Sequence, residues 1–296
     1  MRAIIIDGMY YPPDSSYRVS HAFGDSLRSL GMQVDICEVL SEVLKSPIKE
    51  KYDLAFYFIH RLPERVRLFK GKINILCHIE QLPRVDGRNN EDLNLRWTNL
   101  KQIVPYFHYI LDPSTTNVDF ISKQGYKGVH CPWGYSTLYE GYSKCAKDID
   151  VLFVGIKTDY RERVFREIIN SNIKLHLCTD YPKREEMLRL INRSKIFLNI
   201  HKNTLGTFEA GRIICLGLSN KQFVLSEDYE DNVPLISNKH LVVCKKEEIV
   251  NKIKYYLKNE VERDKIAQQG YEFIKSQFTM TQSLEKALRQ IKEIKL

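Results

Sequence analysis

Short apolar runs alternate with stretches of helical periodicity along the whole chain. Runs such as Ala3-Ile4-Ile5-Ile6 and Val151-Leu152-Phe153-Val154 lack the polar alternation of a half-solvated strand. They read as strands buried on both faces, the condition of a parallel sheet covered by crossover helices. The pattern predicts strands over 3–7, 33–39, 54–59, 73–79, 109–111 and 128–131, with helices near 18–30, 63–69, 95–103 and 116–124. Gly125 stands where the last of these needs a C′ glycine. After a polar loop over 135–148 the alternation restarts. Strands are predicted over 151–154, 174–178, 196–200, 222–225 and 241–244, and helices near 161–170, 183–193, 208–216, 246–258, 261–276 and 281–295. The fold class is therefore α/β, with two Rossmann-like domains facing across a cleft. The expected division is 1–147 and 148–278.

In open parallel sheets, ligands bind outside the carboxyl ends of the strands. The groups ending the predicted strands are thus candidates before any motif is sought: Asp7-Gly8, His60, His78 with Glu80, Asp112, Gly155, Thr179-Asp180, His201 and Glu227-Asp228. Nearly every strand ends in a group that can hydrogen-bond or carry charge.

Composition narrows the class. The 296 residues suffice for two domains, and 43% hydrophobic with 28% charged residues is the balance of a folded globular chain. No stretch reaches the roughly 20 apolar residues that span a bilayer, and the first apolar run stops at Asp7, too soon for a signal peptide. The seven cysteines stand singly with no C-x-x-C pair, which argues for a reducing compartment and a cytoplasmic location. The formal net charge of +8 favours anionic partners: a nucleotide diphosphate, DNA or an acidic membrane surface.

The most informative segment is Asn199-Ile200-His201-Lys202-Asn203-Thr204-Leu205-Gly206-Thr207-Phe208-Glu209-Ala210-Gly211-Arg212. A strand feeds a polar loop and then a helix, whose first amides suit a diphosphate. Glu209 and Arg212 share a face of the first turn. Glu209 can accept hydrogen bonds from two ribose hydroxyls; Arg212 can meet phosphate or hold Glu209 in place.

This segment resembles the nucleotide-sugar motif of GT-B glycosyltransferases, in which a loop and helix of the C-terminal domain carry Glu-x7-Glu. Glu209 matches the second glutamate, the ribose binder; His201 stands at the first position, a departure. The run from Thr207 to Ile213, followed by Phe223-Val224-Leu225-Ser226-Glu227, is similar to the CgeB-like branch of that fold. The resemblance implies a nucleoside-diphosphate sugar as donor, no metal and no other cofactor, and a last helix (279–296) that packs back on the N-terminal domain. It places Gly155, Lys157, Arg161, His201, Thr207, Phe208, Glu209, Arg212 and Glu227 around the donor. Fixed cations after Gly155 would offset the charge that develops on the leaving diphosphate. The Glu209 match favours retention of anomeric configuration; an inverting enzyme would need a base, for which Glu80, His78 and His60 are candidates. Gly8, Asp14, Ser15 and His60 fall on the acceptor side.

Two short patterns are set aside. Asp148-Ile149-Asp150 spells a metal-binding D-x-D but precedes a strand, as a polar linker would. Gly206 and Gly211 have P-loop spacing without the following Lys-Ser/Thr. Three rival functions share the scaffold: a DNA-modifying glycosyltransferase, a nucleotide-sugar 2-epimerase, and a non-catalytic structural protein.

Overall fold

The computed structural model describes residues 1–8, 19–37, 52–59, 72–180, 182–204, 206–291 and 294. The predicted helix over 63–69 lies outside the described residues, as do Asp14, Ser15 and His60. The chain forms two compact units. One takes the first strand, Val19–Pro132 and Met280–Leu296; the other takes Trp133–Thr279.

The first unit holds β1 (Arg2–Asp7), α1 (Val19–Ser29), β2 (Gln33–Cys37), β3 (Leu54–Phe58), β4 (Ile73–Cys77), α2 (Glu91–Lys101), β5 (Tyr109–Asp112), α3 (Thr115–Lys123) and β6 (Gly128–His130). Its strands form one parallel sheet in the order β2-β1-β3-β4-β5-β6. The five residues of β3 are all buried, as the uninterrupted apolar run requires. Ile4, Ile6, Ala55, Tyr57, Leu76 and Ile110 build one face of the core against Leu100, Phe120 and Ile121 of the helices. Helix α2 starts at Glu91, earlier than its apolar spacing shows, because Asn90 caps it by accepting from the Leu93 amide.

The second unit holds β7 (Ile149–Val154), α4 (Asp159–Asn170), β8 (Leu175–Cys178), α5 (Arg184–Arg193), β9 (Ser194–Asn199), a π-helix (Gly211–Gly217), β10 (Phe223–Glu227), β11 (Val242–Cys244), α6 (Ile249–Lys258) and α7 (Glu260–Gln277). Its parallel sheet runs β11-β10-β9-β7-β8. Val151, Phe153, Ile196, Leu198, Phe223 and Leu225 form the sheet's share of a core closed by Val164, Phe165, Ile168, Ile253 and Ile266. In both sheets the order reverses beside the first strand, so the switch points lie between β1 and β3 and between β7 and β9.

Four expectations change. The segment after Pro132 belongs to the second unit, not to a domain ending at 147. Asn192 ties it down, accepting from the Ser143 amide at 3.1 Å and donating to the Gly141 carbonyl at 2.8 Å. Arg184 donates to the Glu140 carbonyl and Lys147 to the Ser194 carbonyl. The helix after Glu209 is wound as a π-helix, wider than the expected α-helix. The last helix, α8 (Met280–Leu288), packs on α1 but stops short of 295, its end tightening into i→i+3 bonds at Gln290 and Ile291. The D-x-D pattern is no linker either, since Ile149 and Asp150 lie in β7 and its carboxylates pair with Arg193 and Lys195. Among the described residues no helix is long and apolar enough to cross a membrane.

Gly270, midway along α7, gives a test of the packing. A Cβ there would lie 2.1 Å from the His240 carbonyl oxygen and 2.9 Å from Leu218 Cδ2. Gly→Ala inside a helix ordinarily stabilises by about 0.5–1 kcal/mol. Here Gly270→Ala is expected to destabilise by about 1–3 kcal/mol, because backbone must shift. Denaturant unfolding checks the sign; a gain in stability would contradict the packing of α7.

Candidate functional site

The carboxyl ends of β7 and β9 flank the switch point of the second sheet, and the polar groups of this unit converge there. Gly155 follows β7, and its φ of +148° suits glycine. A side chain at Gly155 would also press on the Phe153 ring at 3.1 Å and on Arg212 Nη1 at 3.2 Å. Thr158 then caps α4, accepting from the Arg161 amide and donating to the Lys202 carbonyl at 3.1 Å.

Arg161, predicted to face a diphosphate, is instead 2% exposed. Its Nε donates to the carbonyls of Ile200 and His201 at 3.0 and 3.2 Å, and Nη1 to the Ile156 carbonyl at 2.8 Å. It binds the loop after β7 to the loop after β9. A buried guanidinium can do this because its fixed fork serves several carbonyls at once.

Arg212 lies on the same phenyl ring. Its guanidinium carbon is 5.7 Å from the Phe153 centroid, and that of Arg161 is 5.0 Å away. Arg212 Nε donates to Asn199 Oδ1 at 2.6 Å, and Nη2 pairs with Glu209 Oε2. The other Glu209 oxygen faces Arg161 Nη2 at 3.6 Å. One carboxylate thus lies between two guanidinium groups, and its side chain keeps 22% of its exposure. The predicted pairing of Glu209 with Arg212 is present in the form in which Arg212 holds Glu209.

His201 is buried beside them. Its Nε2 lies 2.7 Å from the Asp228 carbonyl, which only accepts, so Nε2 carries the proton; Nδ1 is 3.7 Å from Glu209 Oε2. The His201 amide donates to Glu227 Oε2 at 3.0 Å, and the Tyr160 hydroxyl donates to Glu227 Oε1. Glu227, predicted to touch the nucleotide, is thereby turned inward to tie β9 to β10 and α4, and it is 4% exposed. The Phe208 amide donates to Asp231 Oδ2 at 2.7 Å and its ring packs edge-on to Tyr229. Thr207 stays half-buried in the loop, and Lys157 is exposed beside Gly155. Asn199 had no predicted role. A fully buried amide closing an apolar strand is the signal that marks it, and it bridges Arg212 and Ser226.

In the first unit, Gly8 follows β1 and donates to the Phe58 carbonyl at 3.0 Å. His78 follows β4 and Asp112 ends β5, and the two meet at 2.6 Å, Nδ1 to Oδ2. Asp112 also accepts from the Ser114 amide and from Asn117 Nδ2. Burial pushes its carboxyl above the ordinary carboxylate range, against the pull of His78 and those donors. Glu80 is partly exposed and pairs with Arg96, which also reaches Asp92 at 3.0 Å.

The matches to known proteins can be set against this geometry. Residues 152–289 match the family described as glycosyl transferase-like. The whole chain superimposes on an α-glucosyltransferase solved with UDP and a 13-mer DNA containing an HMU base, at a TM-score of 0.66 with 10% identity, covering 98% of each chain. It also superimposes on HepE of Anabaena solved with UDP-glucose, at 0.61 with 11% identity, covering 99% of this chain and 100% of the other. The chain shares the fold of these glycosyltransferase structures. It spans 54% of the length of TarM, which it matches at a TM-score of 0.54 with 8% identity. No curated protein matches it by sequence. Gly155, Arg161, Glu209 and Arg212 all lie within the matched stretch.

Glu227 offers a pH test of the site. Burial raises its carboxyl above the ordinary value, outweighing the Tyr160 and His201 hydrogen bonds. The folded state then binds this proton more tightly than the unfolded chain does. The stability it adds is full below the ordinary glutamate value of about 4.3 and is lost as pH rises towards the raised one. The stability of the wild type minus that of Glu227→Gln is expected to fall across this window and then level off. Denaturant unfolding at a series of pH values checks this; a difference independent of pH would contradict the burial argument.

Proposed function

We propose that the chain transfers a glycosyl group from a uridine diphosphate sugar to an acceptor hydroxyl, with no metal ion at the diphosphate. The observation that carries this reading is the Glu209 carboxylate held between Arg212 and Arg161 at the switch point of the second sheet. UDP is chosen because similar structures were solved with UDP or UDP-glucose.

Glu209 accepts hydrogen bonds from the ribose hydroxyls, and Arg212 fixes its orientation. Two guanidinium groups against one carboxylate leave an excess positive charge beneath Gly155. With the exposed Lys157 and the backbone around Thr207, that charge stabilises the diphosphate as the anomeric bond breaks. Arg161, His201, Phe208 and Glu227 hold the two loops in register. They act on the donor through Glu209 and the backbone.

A DNA acceptor is the second reading. It is favoured by the net charge of +8 and by the likeness to the α-glucosyltransferase solved with DNA. Duplex affinity that falls steeply with added salt would support it.

Calorimetric titration with UDP tests the donor site. Charge-assisted hydrogen bonds contribute about 1.5–3 kcal/mol each, so Glu209→Ala is expected to weaken UDP binding about 10- to 100-fold. Arg212→Ala should weaken it at least as much, and chelator should leave the wild type unchanged. UDP affinity unaltered in Glu209→Ala would refute the assignment.

A further inference from the structure

Asn199 closes β9, and its side chain is fully buried against a charged group. Its Oδ1 accepts from Arg212 Nε at 2.6 Å, and its Nδ2 donates to Ser226 Oγ at 3.0 Å. The Ser226 hydroxyl gives its proton to the Glu227 carbonyl at 2.7 Å, so towards Asn199 it accepts. The guanidinium on the other side only donates. Position 199 therefore needs one acceptor and one donor. An amide supplies both; a carboxylate supplies only acceptors.

The second consequence is electrostatic. Arg212 pairs with Glu209, and Arg161 faces the same carboxylate. The neighbouring Glu227 turns its oxygens to the His201 amide and the Tyr160 hydroxyl. A carboxylate at position 199 would be a second acid on Arg212 and would cancel the positive charge left over. The neutral amide orients the guanidinium and leaves that charge in place, where a low dielectric strengthens its reach.

We propose that Asn199 is the positioning residue that sets the charge selectivity of this floor: it holds Arg212 without neutralising it, so that a nucleoside diphosphate is bound in preference to the uncharged nucleoside. The proposal rests on the donor reading above. Asn199 is 0% exposed and acts through Arg212 rather than by touching the ligand.

The full chain is titrated calorimetrically with UDP and with uridine, at low and at high salt. Asn199→Asp is nearly the same size and adds one negative charge. It is expected to weaken UDP binding about 10- to 100-fold, to leave uridine affinity unchanged, and to flatten the salt dependence of UDP binding. Asn199→Ala removes the acceptor and keeps the charge, so UDP should weaken only about 3- to 10-fold, with the salt dependence of the wild type. A role confined to packing would move UDP and uridine together in Asn199→Asp, and that result overturns the proposal. Should Asn199→Asp not fold, Asn199→Ala decides: weaker UDP binding with its salt dependence intact supports the proposal, and wild-type affinity overturns it. A wild type that does not bind UDP removes the donor reading and this proposal with it. A wild type that binds UDP, beside an Asn199→Asp variant that keeps the full preference for UDP over uridine, removes this proposal alone.

Discussion

Two guanidinium groups share the Phe153 ring, and the Glu209 carboxylate lies between them. The arrangement of the second unit's loops follows from this contact. Arg161 cannot be solvated where it lies, so its donors must be met by the carbonyls of Ile156, Ile200 and His201. Meeting them pulls the loops after β7 and β9 together. Gly155 is then required twice, by its backbone angle and by the approach of Arg212. The outcome is a rigid, positively biased floor with one partly exposed carboxylate, built before any ligand arrives.

The same logic holds for the partners of that floor. Glu227 and Asn199 are buried polar groups that are fully used within the protein. Their role is to keep β9, β10 and α4 in register, so that Glu209 keeps one orientation. In the first unit, buried Asp112 likewise fixes the orientation of His78.

The strands were legible in the sequence because a parallel sheet buries both faces, and uninterrupted runs such as Leu54–Phe58 have little other use. The Glu209–Arg212 pair was legible because i,i+3 spacing is local. What escaped was set by distant partners. Arg161 reads as a surface cation at a helix start, since nothing nearby in sequence shows that the Ile200 and His201 carbonyls will cover it. Glu227 reads as a strand-end acid until the His201 amide and Tyr160 claim it. The 133–147 segment looks like a linker because its anchors, Asn192 and Ser194, lie on a later helix and strand.

The central claim is that the loops after β7 and β9 form one preorganised donor floor. Amide hydrogen exchange with and without UDP tests it most directly. Protection confined to segments 155–161 and 199–212, with little change elsewhere in the second unit, is the outcome expected of such a floor. Protection centred on other segments, or no change at saturating UDP, would show that the charged cluster on Phe153 is structural and that the donor binds elsewhere or not at all.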